Sequence, residues 1–267
     1  MLKKRIIFTL LYSDGYFMLS RNFRLQKVGN INWLKKNYDF SHISFYIDEL
    51  IVLDVSRSER SISRFSKALE SLTEGCFVPI AAGGGIRTIE DASLLLRSGA
   101  DKVVINTPLF KDRSLLKGLV TNFGRQCIVG SVDLKKFGVE KYQIWIESGA
   151  ECLSEPPAHL LGAMMEDPPG EIYLNSIDQD GTGQGFDLTM LSQLPDQLSS
   201  PIILAGGAGN AKHLAEALID PRVDAVATAN LFNFVGDGLM KARKSVDVSG
   251  IALAKWPDKG DYLDSSL

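Results

Sequence analysis

The sequence predicts a (β/α)8 TIM barrel with a two-fold internal half-barrel repeat. Eight short, apolar and β-branched segments recur along a chain of 267 residues, and helix-like segments lie between them. Because these segments are continuously apolar and do not alternate with polar residues, they predict parallel strands covered on both faces. Eight strand–helix units within about 250 residues favour a closed barrel over an open sheet.

The predicted strands are residues 5–11, 49–55, 78–82, 102–106, 126–133, 171–177, 201–205 and 224–229. The clearest helix lies within residues 88–99, where Thr88 is an N-cap residue, acidic residues fill the first turn and Gly99 ends the segment. Residues 210–218 repeat this pattern behind Asn210. We expect a single barrel over residues 1–240, followed by a final helix remnant and a C-terminal tail over residues 241–267.

An internal repeat supports the barrel. The segment that starts at Pro79 reads PIAAGGGI, and the segment that starts at Pro201, 122 residues later, reads PIILAGGA. The same spacing relates the first predicted strand to the fifth, and Phe110 to Phe232. Self-similarity at one fixed spacing indicates two four-unit halves. The alternative is that any strand-to-helix turn rich in glycine has this appearance.

Composition and charge narrow the function. Hydrophobic residues make up 45% and charged residues 23% of the chain, and the formal net charge is −3. This balance is typical of a globular protein and argues against nucleic acid or an anionic membrane as a partner. No apolar run approaches the ~20 residues of a membrane span, so we expect a cytoplasmic protein. Three separated cysteines and three scattered histidines indicate no metal site, no cofactor and no histidine-activated nucleophile.

Several predicted strands end in glycine or small polar residues. A TIM barrel binds ligands at the C-terminal ends of its strands, and backbone N–H groups next to glycine cradle phosphate. Two opposed sets predict a ligand with two phosphates, and the alternative is tight turn geometry alone. The candidate substrate-binding residues are Gly84, Gly85, Asn106, Thr107, Asp180, Gly181, Thr182, Gly206, Gly207 and Asn230.

Four carboxylates at strand ends are acid–base candidates: Asp54, Asp133, Asp178 and Asp180. Asp133 is the best candidate for proton transfer, because partial burial at a barrel mouth tunes a carboxyl group for this task. The alternative is that Asp133 only supports a loop or caps a helix. At the repeat spacing of 122 residues, the counterpart of Asp133 is Leu11, so the predicted site carries one acid and not two.

The opposite barrel rim is charged as well. Arg5, Glu49, Lys102 and Glu171 open the first, second, fourth and sixth predicted strands. Four charges so close to a barrel axis must pair to offset their desolvation. They form either a stabilising lid of ion pairs or a gate through which a small polar molecule enters.

These motifs together resemble the cyclase (HisF-type) subunit of imidazole glycerol phosphate synthase over about residues 1–240. The residues that carry the resemblance are Lys4-Arg5-Ile6-Ile7, Asp14-Gly15, Gly83-Gly84-Gly85-Ile86-Arg87, Gly99-Ala100-Asp101-Lys102-Val103 with Asn106, Phe123-Gly124-Arg125-Gln126-Cys127, Asp178-Gln179-Asp180-Gly181-Thr182, and Gly206-Gly207-Ala208-Gly209-Asn210.

The resemblance implies a glutamine amidotransferase complex. A separate HisH-type glutaminase would dock at the N-terminal face, as a heterodimer partner, and its ammonia would pass the gate and the barrel interior. In the family, the ammonia reaches a bisphosphate substrate, which is cyclised to imidazole glycerol phosphate with release of an aminoimidazole carboxamide ribonucleotide. The four charged rim residues match the family's gate, and Asp133 matches its general base.

Two positions depart from the family pattern. Leu11 stands where the family has its general acid, and Leu19 stands where it has a lysine in the first loop. A leucine side chain donates neither a proton nor a hydrogen bond. Loss of one acid–base group commonly removes about 10²–10⁴-fold in rate. The departures therefore put intrinsic cyclase activity in doubt, although the fold and the gate match.

Three interpretations remain open. The chain is similar to divergent cyclase-like subunits that deliver ammonia to a third enzyme of acetamidino-sugar synthesis for surface lipopolysaccharide. The second interpretation is a lyase-type cyclase of histidine biosynthesis in which Ser13, Asp14 or a water replaces the acid. The third is a non-catalytic barrel that binds a phosphate ligand. None of the three cysteines lies in a Gly-x-Cys-x-Gly elbow, so ammonia must come from a partner or from solution.

Overall fold

Alternating strands and helices follow one another along the chain in a computed structural model that describes residues 3–58, 60–230 and 237–254. The strands are β1 (Arg5–Ser13), β2 (Tyr16–Arg21), β3 (Arg24–Gly29), β4 (Glu49–Asp54), β5 (Ile80–Gly83), β6 (Lys102–Ile105), β7 (Ile128–Gly138), β8 (Lys141–Ile146), β9 (Glu151–Cys152), β10 (Glu171–Ser176), β11 (Ile202–Ala205) and β12 (Ala225–Thr228). The α-helices are α1 (Ile31–Asn37), α2 (Phe40–Ile43), α3 (Ile62–Thr73), α4 (Ile89–Arg97), α5 (Thr107–Lys111), α6 (Arg113–Phe123), α7 (Pro157–Ala163), α8 (Ala211–Ile219) and α9 (Gly238–Val248). Short 3-10 turns occupy Arg125–Cys127, Met164–Glu166 and Leu188–Gln193.

Eight of these strands close into a parallel barrel in the order β1, β4, β5, β6, β7, β10, β11 and β12. Closure is achieved because β1 pairs in parallel with β4 on one side, where Ile7 is opposite Glu49, and with β12 on the other, where Arg5 is opposite Ala225. Each predicted strand overlaps one of these eight. The predicted (β/α)8 fold is therefore confirmed.

The two halves of the barrel match in the structure as the repeat predicts. The bounds of β4 and β10, of β5 and β11, and of α4 and α8 each differ by 122 residues at both ends. Thr88 caps α4 by accepting a hydrogen bond from the backbone N of Asp91, and Asn210 caps α8 in the same way from His213. Phe232, one of the residues that indicated the repeat, lies outside the described residues.

Two apolar layers hold the barrel together. The larger cluster fills the space between the outer face of the sheet and the helices and includes Phe8, Leu50 and Leu204. A smaller cluster fills the lumen, with Ile7 and Val129 among its members. Because neighbouring residues of a strand point to opposite faces, continuous apolar strands supply both layers.

Hairpins at the mouth differ from the predicted strand pattern. The fifth predicted strand stops at residue 133, whereas β7 continues to Gly138 and pairs antiparallel with β8, and β2 and β3 form a second hairpin after β1. These segments are partly exposed, so they do not stand out as buried apolar runs in the sequence. No helix among the described residues is long and apolar enough to cross a membrane.

The last described helix, α9, spans the predicted boundary at residue 240 and packs on the barrel. Leu239, Ala242 and Val246 are buried. Arg243 binds both carboxylate oxygens of Asp48 at 2.8 and 3.0 Å, and this pair is almost completely buried. The predicted division at residue 240 stays a prediction, and the tail from residue 255 lies outside the described residues.

Candidate functional site

A cavity of about 400 Å³, here called the mouth cavity, opens at the C-terminal ends of the barrel strands. Leu11 and Asp133 both line it. Of the predicted substrate-binding residues, those that line it are Gly84, Gly85, Asn106, Thr107, Asp180, Gly181, Gly206, Gly207 and Asn230. Thr182 is not a lining residue; its hydroxyl donates to the carbonyl O of Gln179 at 2.8 Å and supports the turn after β10.

Asp133 lies at the mouth on β7 and is only 8% exposed. The amide Nδ2 of Asn175 donates to its Oδ1 at 3.0 Å, and the amide Nδ2 of Asn106 donates to its Oδ2 at 3.2 Å. Burial raises the pKa of Asp133 to about 7; the bond from Asn175 opposes this shift and the charge of Asp180 adds to it. A carboxyl group with this pKa can both accept and release a proton near neutral pH.

Leu11 lies on β1, which is opposite β7, the strand that carries Asp133, in the barrel. Its side chain is 9% exposed and contributes only methyl groups to the mouth cavity. The substitute acids considered from the sequence, Ser13 and Asp14, do not line this cavity. The carboxylate of Asp14 instead accepts a hydrogen bond from Ser58 at 2.8 Å and lies 3.6 Å from the guanidinium of Arg64. Neither residue therefore replaces the missing acid directly.

On both sides of the mouth, a glycine lies so close to a neighbouring backbone carbonyl that a side chain would clash with it. Gly84 has a φ of +101°, and a Cβ there would lie 2.1 Å from the carbonyl O of Asp54. Gly206 has a φ of +85°, and a Cβ there would lie 2.6 Å from the carbonyl O of Ser176. A side chain at either position combines backbone strain with a clash, so both turns favour glycine strongly.

Asn106 and Thr107 have structural partners at the mouth. Besides Asp133, the amide Nδ2 of Asn106 binds the carbonyl O of Ser131 at 3.0 Å. The hydroxyl of Thr107 accepts a hydrogen bond from the backbone N of Glu147 at 3.2 Å. Asn106 therefore helps to fix the orientation of the Asp133 carboxylate, a role that the sequence did not indicate.

The other acid candidates also have fixed environments. Asp180 is buried and accepts hydrogen bonds from the hydroxyl of Ser20 and, at 3.0 Å, from the backbone N of Phe23, so it holds the β2–β3 hairpin against the mouth. Burial raises the pKa of Asp180, although both bonds oppose the shift. Burial also raises the pKa of Asp54, against hydrogen bonds from Ser56. The carboxylate of Asp178 accepts from the backbone N of Lys136 at 2.6 Å.

A closed ring of four charges, here called the rim ring, lies at the N-terminal end of the barrel. Arg5 binds Glu49 at 3.0 Å and Glu171 at 2.7 Å. Lys102 binds the same two carboxylates at 2.9 and 3.0 Å. All four side chains are at most 21% exposed. The structure thus brings together the four charged residues that the sequence placed at strand openings.

The two carboxylates of the rim ring differ electrostatically. Burial raises the pKa of Glu49, and its two cationic neighbours only partly oppose this shift. Burial also acts on Glu171, but the attraction of Arg5 and Lys102 outweighs it and lowers the pKa of Glu171. The Oε1 atom of Glu49 is buried without a hydrogen-bond partner among the described residues. The ring therefore leaves one buried polar atom without a partner among the described residues.

Several residues of the mouth cavity were not predicted from the sequence. Tyr173 lies on β10 between Glu171 and Asn175, and its hydroxyl is 3.5 Å from that of Thr9. Five arginines also line the cavity: Arg21, Arg24, Arg57, Arg60 and Arg87. The signal for Arg57 and Arg60 was their position just after a barrel strand. No cluster of three or more metal-ligating side chains occurs in the described part of the chain.

Comparisons with known proteins agree with this architecture. The family model described as "Histidine biosynthesis protein" matches residues 34–236. A Parasynechococcus marenigrum (strain WH8102) protein named "Putative imidazole glycerol phosphate synthase subunit hisF2" is 48% identical over 258 residues, 96% of each chain. Proteins named "Imidazole glycerol phosphate synthase subunit HisF" are also similar. The one from Leptospira biflexa serovar Patoc is 38% identical over 76% of this chain and 80% of its own. The one from Hyphomonas neptunium is 33% identical over 94% and 98%.

Proposed function

The chain belongs to the histidine biosynthesis protein family, and from that premise we propose that it is a HisF-type synthase subunit supplied with ammonia by a HisH-type glutaminase. The observation that carries the proposal is the rim ring, which closes the N-terminal end of the barrel with two cations and two anions. A net-neutral ring of hydrogen-bonding groups excludes ions more strongly than it excludes a small neutral molecule such as ammonia.

The lumen above the rim ring suits a neutral molecule. Its lining includes Ile7, Val104 and Val129 and the small side chains of Ala81 and Ala225. Transfer of an ion into such surroundings is unfavourable, whereas a neutral amine loses far less hydration free energy. Ammonia that enters at the ring would therefore stay unprotonated until it reaches the polar mouth.

The N-terminal face also has features of a docking surface for the glutaminase. Phe77, which precedes β5, is 48% exposed, and its ring lies 4.7 Å from that of Phe45, which precedes β4. Exposed aromatic side chains are enriched at the centres of protein interfaces. This pair lies at the same end of the barrel as the rim ring, where the glutaminase would deliver ammonia.

Beyond this common role, we propose that the chain is a divergent paralogue that no longer cyclises the family's substrate. Leu11 gives no proton donor opposite Asp133, and Ser13 and Asp14 do not line the mouth cavity. Ammonia would then leave the mouth and be used by a third enzyme. The resemblance to acetamidino-sugar systems points to a sugar-modifying enzyme of lipopolysaccharide synthesis as that acceptor.

One observation favours a second candidate, the histidine-pathway cyclase. The glycine turns at Gly84 and Gly206 border the same cavity as Asp133, whose pKa of about 7 suits a general base. This arrangement is what a bisphosphate substrate requires. In this reading, a water held in the mouth supplies the proton that Leu11 lacks.

Binding of the glutaminase tests the proposed complex. We would measure the Kd between this chain and the HisH-type glutaminase of the same genome by sedimentation. Phe77→Ser should weaken binding at least about tenfold, as expected for an aromatic interface anchor. Phe137→Ser is the matched control, because Phe137 is 60% exposed but lies on the β7–β8 hairpin at the other end. Absence of a complex, or weakening only by Phe137→Ser, would contradict the proposal.

A further inference from the structure

Tyr173 places a hydroxyl group inside the largely apolar lumen of the barrel. Only 5% of Tyr173 is exposed, and it belongs to the cluster of side chains that fills the lumen. On β10 it lies between Glu171, a member of the rim ring, and Asn175, which donates to Asp133 at 3.0 Å. Because alternate residues of a strand share a face, these three side chains of β10 form a polar file from the rim ring to the mouth.

The side chain of Tyr173 crosses the lumen to reach Thr9. The two hydroxyl oxygens, here called the hydroxyl pair, lie 3.5 Å apart, and Thr9 is completely buried on β1. Two strands, β11 and β12, separate β10 from β1 in the barrel, so the phenol ring spans the interior to make this contact. Thr9 precedes Leu11 by two residues and lies on the same face of β1. A molecule that moves from the rim ring to the mouth therefore has to pass the hydroxyl pair.

Tyr173 also lies at the boundary between the lumen and the mouth cavity. It lines that cavity together with Val104 and Ala227, which belong to the same cluster of lumen side chains. Ile7 and Val129, further members of this cluster, are not among the described residues that line the mouth cavity. The phenol thus forms part of the cavity floor, and the apolar lumen begins beneath it.

The hydroxyl pair suits a small neutral molecule that both donates and accepts hydrogen bonds. Hydroxyl groups usually bond at about 2.7–2.8 Å, so a separation of 3.5 Å is a weak contact that uses at most one hydrogen. Burial raises the pKa of Tyr173; the contact with Thr9 opposes this shift and the charges of Asp133 and Asp180 add to it. The phenol therefore stays protonated and can donate to a lone pair. Ammonia has one lone pair and N–H donors, so it can accept from Tyr173 and donate to Thr9.

We propose that the hydroxyl pair of Tyr173 and Thr9 is a binding point for ammonia between the rim ring and Asp133. The inference rests on the proposed ammonia delivery and names the residues that position the molecule inside the barrel. Apolar side chains offer ammonia no hydrogen-bond partner, and a buried polar molecule without partners is unfavourable. The hydroxyl pair offsets part of this cost before ammonia reaches the polar mouth. Tyr173 is therefore a positioning residue and takes no part in proton transfer.

The test is a titration of the full chain with ammonium chloride, followed through the carbon NMR signal of the Tyr173 Cζ atom, which carries the hydroxyl. Tyr173→Phe identifies this signal among those of the seven tyrosines. Relative to sodium chloride at equal ionic strength, we expect a saturable shift that follows the concentration of neutral ammonia at two pH values. Thr9→Val, which removes one hydroxyl, should raise the apparent Kd about three- to tenfold, because one hydrogen bond is lost.

Two further threonine variants are the controls. Thr9→Ser keeps the hydroxyl and should retain the Kd of the wild type, as should Thr73→Val, whose lost hydroxyl binds the carbonyl O of Glu70 at the end of α3. Shifts that follow total ammonium, shifts that do not saturate, or a Kd that Thr9→Val leaves unchanged would overturn the binding point. Ammonia binding to a chain that binds no glutaminase would support the hydroxyl pair and overturn only the proposed complex.

Discussion

Both halves of the barrel build the same turn at the mouth. Gly84 lies against the carbonyl O of Asp54, and Gly206 lies against the carbonyl O of Ser176, its counterpart in the other half. The helices that follow, α4 and α8, have bounds that differ by the repeat spacing, and both begin at a capped residue. Where the backbone needs a particular conformation, the two halves have kept the same solution.

Side chains differ between the halves at the two ends of the lumen. At the mouth, Asp133 of the second half corresponds to Leu11 of the first. At the rim ring, both halves supply a glutamate, but both cations come from the first half, whose Arg5 corresponds to Cys127. The two halves therefore share one backbone scaffold. Differences at single positions place both cations of the rim ring in the first half and the proton-transferring carboxyl group in the second half.

The largest expected effect on stability concerns a cation that only the first half supplies. Lys102→Met leaves two carboxylates with one arginine in a mostly buried ring, so we expect a loss of about 3–5 kcal/mol in the free energy of unfolding. Lys111→Met is the control: it breaks an exposed ion pair with Glu151 and should cost less than about 1 kcal/mol. Urea denaturation measures both. Equal losses would show that the rim ring behaves as an ordinary surface pair.

Asp133, the acid that only the second half carries, should make the free energy of unfolding depend on pH. The pKa of Asp133 is about 7 in the folded chain against an ordinary value of 3.8, so the folded state holds this proton more tightly. The stabilisation from this proton is complete below pH 4 and is lost as the pH rises through 7. The loss in the free energy of unfolding is at most ~4 kcal/mol.

Asp133→Asn should flatten this loss between pH 5 and 8, measured as the change in unfolding free energy with pH. Asp112→Asn is the control, because hydrogen bonds from Ser114 and Leu115 lower the pKa of this exposed N-cap residue, so its titration falls below that range. An Asp133→Asn protein with the pH slope of the wild type would refute the raised pKa.

Alanine at the paired glycines of the two mouth turns should destabilise the fold to different extents in the two halves. Gly84→Ala and Gly206→Ala should each destabilise the fold by about 1–3 kcal/mol, through strain and a backbone clash. Gly84→Ala should cost more, because its Cβ approaches the carbonyl O to 2.1 Å and not 2.6 Å. Gly162→Ala in α7 has nothing within 4 Å and should be neutral or mildly stabilising. The reverse order of the two mouth glycines would show that the halves relax differently.

The smallest effect concerns the helix caps. Thr88→Ala and Asn210→Ala should each cost about 1 kcal/mol, since each removes one side-chain acceptor at a helix N-terminus. Asp91→Ala should cost more than His213→Ala, because the Asp91 carboxylate accepts from the backbone N of both Arg87 and Thr88, whereas the His213 ring accepts from one backbone N, that of Gly209. Thermal unfolding of the four variants measures the losses. Equal sensitivity of α8 to a change at His213, the position that matches Asp91, would contradict this difference.

Much of the fold was predictable because its signals are local. Continuous apolar runs marked all eight barrel strands, and Thr88 and Asn210 marked the two paired helices. The β2–β3 hairpin was not predictable in this way. Its turn has Asn22 and Phe23 at φ of +51° and +62°, and no glycine signals it. Contacts with Asp180 stabilise this turn, and such tertiary contacts leave no local pattern.

The site was predictable where topology alone determines position. Asp133 and the glycine turns were found because they end barrel strands, and the rim charges because they begin them. Hydrogen bonding across the mouth was not predictable: Asn106 was expected to bind phosphate but donates to Asp133. The position of Arg57 and Arg60 after a barrel strand placed them near the mouth, but their hydrogen bonds to Phe23 and Ser148 join distant segments, so the sequence did not reveal these contacts.

Whether this barrel still cyclises the family's bisphosphate substrate is tested by turnover of that substrate with excess ammonium salt. This assay needs no glutaminase. We predict no turnover by the wild type and turnover in Leu11→Asp, which restores an acid opposite Asp133, with a gain of about 10²–10⁴-fold over background. Asp133→Asn in the Leu11→Asp background is the control and should abolish the activity. Substantial wild-type turnover that Asp133→Asn removes would contradict the account and assign the chain to the cyclase reaction itself.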